Sequence, residues 1–417
     1  MTQKKIFSPE KITRFGFYLF AAGIPLSFVP AEFAIALIWI GWMMEGLVHK
    51  HWQARRAAVF IPIVVYLLWN IVSSVHSPRP LHSLAALADN EWPVTIMVFM
   101  FFLIEDAAVL LRMLELWLLT SCISSVYAIW QTFSGNDFLF HNRLSHIENY
   151  YRAEGFSHMY LTFAGFAMTI FLVGLCLSTQ RGQISRWKYV VPAVLSFIAI
   201  IGSFARSVWL SFGVVFPIFG FLKGKRTGGI IVSVFLGAFL VGMIFVGSIR
   251  ERAFSIIDPS QNQTRLNLWQ TTLHMSADHL TTGIGEDNFD YYFEAYKVPG
   301  IYDATGHPHN DYLTVLVSSG IPGICLFLTI WTMILRLGFS TWRRSEVPVL
   351  REVALGGTLS IIGFLVGSFF QNYYGTFANC WGWWFMAGII MTSYKLSGLP
   401  QTTGSTAEDR TQTIPRA

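Results

Sequence analysis

Charge is scarce in this chain. Only 13% of its 417 residues are Asp, Glu, Lys or Arg, against roughly 25% in soluble globular proteins, and that shortage argues against an ordinary water-soluble domain. Cysteine is sparse too. Cys122, Cys176, Cys325 and Cys380 lie in or beside apolar runs, with no CxxC or CxxH spacing that would build a metal site, and they read as core packing. An HExxH motif and an acidic D-x-D pair on the outer loops are missing, which weighs against a resident metal. A phosphate loop is missing as well: GIGEDNF (283–289) has the glycines, but no strand precedes it and no Lys-Ser/Thr follows it. It reads as a turn that returns the chain to the membrane. The formal charge of +5 gathers into no continuous basic stripe, so nucleic acid is not an expected partner.

What the chain has in quantity is hydrocarbon. Hydrophobic residues make up 53% and the mean hydropathy is +0.49. Repeated apolar stretches approach the roughly 20 residues that cross a bilayer as a helix, and a helix satisfies its own backbone there. The fold expected is an all-α polytopic membrane protein of about 12 transmembrane helices. The spans fall near 14–29, 31–48, 57–75, 92–105, 109–132, 160–178, 188–204, 207–222, 229–247, 312–335, 352–370 and 375–394. The run from Phe15 to Val48 has no small-residue cleavage site, so it reads as two retained helices split near VPAEF and not as a cleaved signal. With both termini in the cytoplasm, most basic residues fall on inner segments; Arg79, Arg143, Arg152, Arg206, Arg250, Arg252, Arg265 and Lys297 remain outside. That asymmetry follows the positive-inside rule and singles out those eight residues, of which Arg79, Arg250 and Arg252 are read equally well as surface ion pairs.

Four regions result: helices one to nine over 1–247, a long outer loop over 248–311, helices ten to twelve over 312–394, and a polar tail, 395–417, expected to be disordered. Inside the loop, TRLNLWQTTLHMSADHL (264–280) spaces Leu266, Trp269, Leu273, Ala277 and Leu280 at threes and fours, the pattern of an amphipathic helix lying on the membrane or on the bundle. The aromatic segment QNYYGTFANCWGWW (371–384) reads mainly as an interfacial belt.

The candidate chemistry lies at the outer face. Arg206, in GSFARSVWL, sits between two apolar runs, and an arginine at that depth needs a polar cavity and a partner; the alternative is an arginine snorkelling to headgroups. Arg265 opens the amphipathic helix, where a guanidinium fork and the helix N-terminus both favour phosphate oxygens; a ring contact with Trp269 is the alternative. His309, in HPHNDYL, stands at the mouth of span ten, where a neutral imidazole can accept a proton. His307, Asn310, Tyr312 and Arg152 are possible substrate contacts, and the amide and ring of Gln371 and Tyr373 suit a sugar pocket.

The ordered set SFARSVWL, TRLNLWQTTLHMSADHLTTGIGEDNF and HPHNDYL resembles the bacterial O-antigen ligase and polymerase superfamily. The hydropathy pattern matches over nearly the whole chain; the specific motifs occupy 202–210 and 264–313. The resemblance implies a glycosyltransferase of the bacterial inner membrane with an architecture similar to the GT-C class. It would move O-antigen from undecaprenyl diphosphate to the lipid A core oligosaccharide on the periplasmic face, with inversion and without metal or cofactor. It casts Arg206 and Arg265 as the essential arginines on the donor diphosphate and His309 as the essential histidine. An O-antigen polymerase and a protein O-oligosaccharyltransferase are the nearest relatives of that reading. A secondary transporter is the rival from another class, disfavoured because the unusual polar residues collect at one face.

Overall fold

The computed structural model describes residues 8–50, 52–139, 141, 143–180, 186–302 and 306–399. Most of the expected tail, 400–417, lies outside the described residues. The chain begins with α1 (Pro9–Gly23), α2 (Phe28–Val48), α3 (Phe60–Val75), the bent pair α4 (Pro80–Glu91) and α5 (Val94–Leu103), and the long α6 (Ala107–Ser134). A two-residue hairpin, β1 (His146–Ile147) against β2 (Tyr150–Tyr151), leads to α7 (Tyr160–Ser178), α8 (Trp187–Ser203), α9 (Arg206–Lys223) and α10 (Thr227–Phe245). The long loop carries α11 (Gly247–Phe254), α12 (Gln263–Asp278) and α13 (Phe289–Tyr296). The chain then returns through α14 (Asp311–Arg344), α15 (Pro348–Gly367) and α16 (Phe377–Leu396).

Each of the apolar segments expected to span coincides with a helix. Among the described residues, 7 helices are long and apolar enough to cross a membrane, or 8 if the α4–α5 pair, bent by 42°, is one span; α3 and α8 are shorter apolar helices. The chain is therefore a multi-pass helical membrane protein. The caps obey local chemistry. Asp106 accepts from the Ala108 amide at 2.8 Å to start α6, and Gly135, at φ +67°, ends it in the left-handed conformation that glycine enters without steric penalty.

The centre of the bundle is α7 and α16. In α7 every side chain from Leu161 to Leu177 is buried. The tryptophans of α16 correct the expected interfacial belt: Trp381, Trp383 and Trp384 are at most 1% exposed, because α16 is enclosed by α5, α7, α14 and α15. Trp383 stacks on Phe364 with ring centroids 5.0 Å apart and lies 4.5 Å from Trp331. This dry aromatic core sits directly below the loop that joins α15 to α16. The cysteines divide: Cys176 and Cys380 are buried as expected, Cys122 is half-buried and Cys325 is exposed.

The amphipathic helix exists as α12, but with a different buried face. Leu268, Thr271, Thr272, Met275 and Ser276 are buried, while Leu266, Leu273 and Leu280 are 45–52% exposed. Tertiary packing against α14 selected the face with smaller side chains, which admits a closer approach, and left the leucine stripe outward.

GIGEDNF is more than a turn. α14 breaks at Gly320, whose φ is +67°, and Pro322 lacks a donor. The backbone groups released by the break need partners in an apolar surround, and the loop and α3 supply them. Ile284 N donates to Val317 O at 2.8 Å, Gly285 N to Ser318 O at 3.0 Å, and Ile321 N to Leu280 O at 2.8 Å. Ser73 Oγ and Trp69 Nε1 donate to Ser318 O and Ser319 O at 2.6 and 2.7 Å. The long loop is thereby pinned to a membrane helix. A Cβ on Gly320 would lie 2.4 Å from Thr281 O, and a left-handed conformation alone costs a non-glycine residue about 1–3 kcal/mol. Gly320→Ala is therefore expected to lower the melting temperature of the purified protein in detergent, and an unchanged melting curve would contradict this account of the break.

Candidate active site

The turn between α8 and α9 is sharp. Phe204 adopts φ +54° and Ala205 is extended, so Arg206 begins α9. Its side chain is 8% exposed and does not snorkel. Nη1 donates to Ser255 O at 2.6 Å and Ser255 Oγ at 3.2 Å, and Nη2 to Gln261 O at 3.5 Å. Arg206 thus reaches into the segment between α11 and α12 and holds it over the α9 N-terminus. At its far end α9 is tied to α15 by the ion pair of Lys223 with Glu352.

Three further arginines approach the same place. Arg252, on α11, donates through Nε to Phe204 O at 3.2 Å. Burial pushes its guanidinium down to about 10, and the positive charges of Arg152, Arg206 and Arg265 act in the same direction. Arg152 lies over the Tyr160 ring at 4.4 Å. Its segment is held by Gln131, whose Oε1 accepts from Glu154 N and Gly155 N at 3.1 and 2.8 Å, while Ala153 N donates to Gly202 O at 3.1 Å. Burial raises the neighbouring Glu154 carboxyl to about 7, with the charge of Asp137 adding to it. Among the described residues, Arg152, Arg206 and Arg252 form no ion pair with a carboxylate. Arg79 behaves differently and as expected for a surface pair: it binds Asp290 at 2.5 Å and Asn288 at 2.8 Å. For Arg252 the structure replaces the expected surface pair with a half-buried place in the arginine group.

Beside this group lies an apolar cavity of about 370 Å³ between α8, α9 and α10, lined by Trp209, Phe212, Phe216, Phe235 and Phe239 and closed near Arg252 by its neighbour Ala253. Its walls carry almost no polar group, and its shape suits a hydrocarbon chain.

His309 enters the same neighbourhood from the other side. It adopts φ +51°, a conformation uncommon for a residue with a Cβ, and its amide donates to His307 Nδ1 at 3.2 Å. The two rings stand 4.3 Å apart, edge to face. His309 Nδ1 meets Gln371 Oε1 at 3.3 Å. With the amide oxygen as acceptor, Nδ1 carries the proton and the basic lone pair belongs to Nε2. Trp269, one turn beyond Arg265 on α12, donates to Pro308 O at 3.1 Å and so ties the helix of Arg265 to the residue before His309. Tyr373 completes the ring: its hydroxyl is 2.8 Å from Ser207 Oγ, next to Arg206. Burial raises the Tyr373 phenol, with Ser207 and the Arg265 charge opposing that rise.

Several residues singled out as substrate contacts use their polar groups for scaffolding. Asn310 caps α14 by accepting from Leu313 N at 3.1 Å and also donates to Phe369 O at 3.2 Å. Tyr312 donates to Leu365 O at 2.6 Å. Gln371 and Tyr373, expected to line a sugar pocket, are 4% and 0% exposed, packed into the loop between α15 and α16. Asp311 is a further residue of this site, one to which the sequence pattern assigns no role. It is 1% exposed, and its carboxylate accepts from Tyr373 N and Tyr374 N at 2.9 Å, from Gly375 N at 3.2 Å and from Ser368 Oγ. The only sequence signal was an acid directly after a helix cap, which reads as ordinary first-turn chemistry. Among the described residues, no three His, Cys, Asp or Glu side chains gather as a metal site would require.

The fold and this site define a multi-pass helical membrane protein with a group of arginines and a histidine at one end of the bundle, beside a hydrocarbon-lined cavity. Residues 191–328 match the family model described as O-Antigen ligase, which supports membership of the O-antigen ligase superfamily that the motifs resemble. No curated protein matches the chain. Arg206, Arg265 and His309 all fall inside the matched stretch, while Arg152, Gln371 and Tyr373 lie outside it.

His307 yields a pH test. Burial, with the neighbouring His309 charge, lowers its imidazole from the usual 6.5 to about 4. A depressed histidine contributes stability that is fully present above the unfolded value and lost as pH falls through the folded one. From about pH 6.5 to pH 4 the wild type should therefore lose melting temperature faster than His307→Asn, whose amide oxygen can replace Nδ1 as acceptor. Parallel curves would rule this out.

Proposed function

We propose that this chain is an inner-membrane glycosyltransferase that moves O-antigen from undecaprenyl diphosphate to the lipid A core oligosaccharide at the periplasmic face. The match over 191–328 supports an O-antigen ligase/polymerase-type membrane enzyme. The observation that carries the reading is the gathering of Arg152, Arg206, Arg252 and Arg265, whose charges act on one another, with no carboxylate paired to the first three among the described residues. Such a group favours a multiply charged anion, and a diphosphate offers the oxygens for paired guanidinium contacts. The adjoining cavity accommodates part of the carrier's hydrocarbon.

In this mechanism the acceptor sugar hydroxyl attacks the anomeric carbon of the donor. The bond from that carbon to the diphosphate oxygen breaks with its electron pair, and the diphosphate leaves on the lipid. Arg206 and Arg265 stabilise the charge that grows on it. The hydroxyl proton passes to the Nε2 lone pair of His309. One displacement inverts the anomeric centre. No residue in this scheme calls for a metal or cofactor, because the guanidinium groups supply the positive charge.

With purified protein, lipid-linked glycan and lipid A–core acceptor, His309→Ala is expected to lower turnover by about 10²- to 10⁴-fold. Arg265→Lys should not restore the activity lost in Arg265→Ala, since an ammonium lacks the fork; full activity in the lysine variant would remove the paired phosphate contact. In a deletion strain, loss of the whole ladder from lipid A with glycan left on the carrier supports ligation, whereas a single-repeat band would instead indicate a polymerase.

A further inference from the structure

Asp311 takes no part in the chemistry above, yet four donors converge on its buried carboxylate: the amides of Tyr373, Tyr374 and Gly375 and the hydroxyl of Ser368. We propose that Asp311 is a positioning residue for the transfer site, mooring the 371–375 loop so that Gln371 meets His309 and Tyr373 meets Ser207. The proposal rests on the transfer reading of the same site.

The connectivity carries the argument. Asp311 stands two residues after His309, and the amides it binds stand two to four residues after Gln371. The hydrogen bond of His309 with Gln371 therefore closes a small ring whose other closure is the Asp311 carboxylate. Neighbouring residues do a different job: Tyr312 binds the last turn of α15 at Leu365 O, and the Asp311 amide and Asn310 bind the two residues just after it, at Ser368 O and Phe369 O. Of these contacts, only the Asp311 carboxylate reaches residues 373–375. Without it, the residues after Ser368 lose three backbone anchors, and Gln371 can swing away from the imidazole with the helices still in place. The same loop sets Tyr373 against Ser207 at 2.8 Å, one residue from Arg206, so one carboxylate registers both the base and the arginine side of the site.

The chemistry of the carboxylate matters as much as its place. An ionised acid is acceptor-only, with about four lone-pair directions for these donors. Asparagine keeps one acceptor oxygen and turns an NH₂ group toward backbone N–H groups, leaving buried donors unmatched. Glutamate keeps the charge but displaces it by one methylene in a fully packed site.

The test uses full-length protein in lipid nanodiscs with lipid-linked glycan as donor and lipid A–core as acceptor, rates being taken per mole of folded protein. Asp311→Asn is expected to lower kcat by about 10²-fold, the scale of a misplacement of about 1 Å, with the acceptor KM close to wild type. Asp311→Glu should recover only part of that loss. Because Asp311 acts through Gln371, the double variant Asp311→Asn/Gln371→Ala should be no slower than Asp311→Asn, a non-additivity expected of coupled residues. A kcat within about twofold of wild type, or losses that multiply in the double variant, overturns the proposal. If Asp311→Asn does not fold, Ser368→Ala removes one of the four donors and leaves the backbone anchors intact. A partial fall in kcat at unchanged KM then supports the proposal, and unchanged kcat in both Ser368→Ala and Gln371→Ala overturns it. His309→Ala in the same assay separates the layers: an inert His309→Ala beside a fully active Asp311→Asn refutes the positioning alone, whereas an active His309→Ala refutes the transfer reading itself.

Discussion

Four guanidinium groups held close together at the edge of an apolar bundle repel one another, and their burial, full for Arg206 and partial for the others, weakens the screening by water. The protein meets part of that cost with neutral acceptors. Arg206 binds the carbonyls of Ser255 and Gln261, Arg252 binds Phe204 O, and Arg152 rests on the Tyr160 ring. Dipoles and a ring face offset charge without cancelling it, so Arg152, Arg206 and Arg252 keep their positive charge. That imbalance is what a diphosphate would relieve.

A second constraint shapes everything around the arginines: backbone groups freed within an apolar bundle must find partners. The break of α14 at Gly320 meets that demand by capturing the Ile284–Gly285 segment, and the same capture fixes the long loop. Arg206 fastens the loop's beginning, and Trp269, through Pro308 O, fastens the approach to His309. Residues far apart in sequence are thus brought to one end of the bundle by hydrogen bonds whose first duty is to satisfy backbone.

The helices were legible in the sequence because their signal is long-range and redundant. A run such as 160–178 has a single low-energy outcome in hydrocarbon, and α7 follows it. The candidates Arg206 and His309 stood out in the sequence for a related reason, because polar residues at the ends of apolar runs are costly and therefore conspicuous, and Arg265 stood out because it opens the amphipathic helix. Burial direction was less legible. The tryptophans of α16 read as a belt because tryptophan is frequent at interfaces, yet α16 is enclosed on its sides by other helices. On α12 the leucine stripe outweighed Leu268 and Met275 by hydrophobicity, but the face that fits against α14 is the one that is buried.

Asp311 and Arg252 mark the limit of sequence reading most clearly. The sequence by itself determined that this chain would be a helical membrane protein with a long arginine-bearing loop and a histidine at the mouth of a helix, since hydropathy and local caps act over neighbouring residues. Only the tertiary structure decided that Asp311 would bind backbone amides some sixty positions away, that Arg252 would join Arg206 in the arginine group, and that Gln371 would face His309. Those contacts join segments that are distant along the chain, and their strength comes from burial and geometry that exist only once the helices have packed.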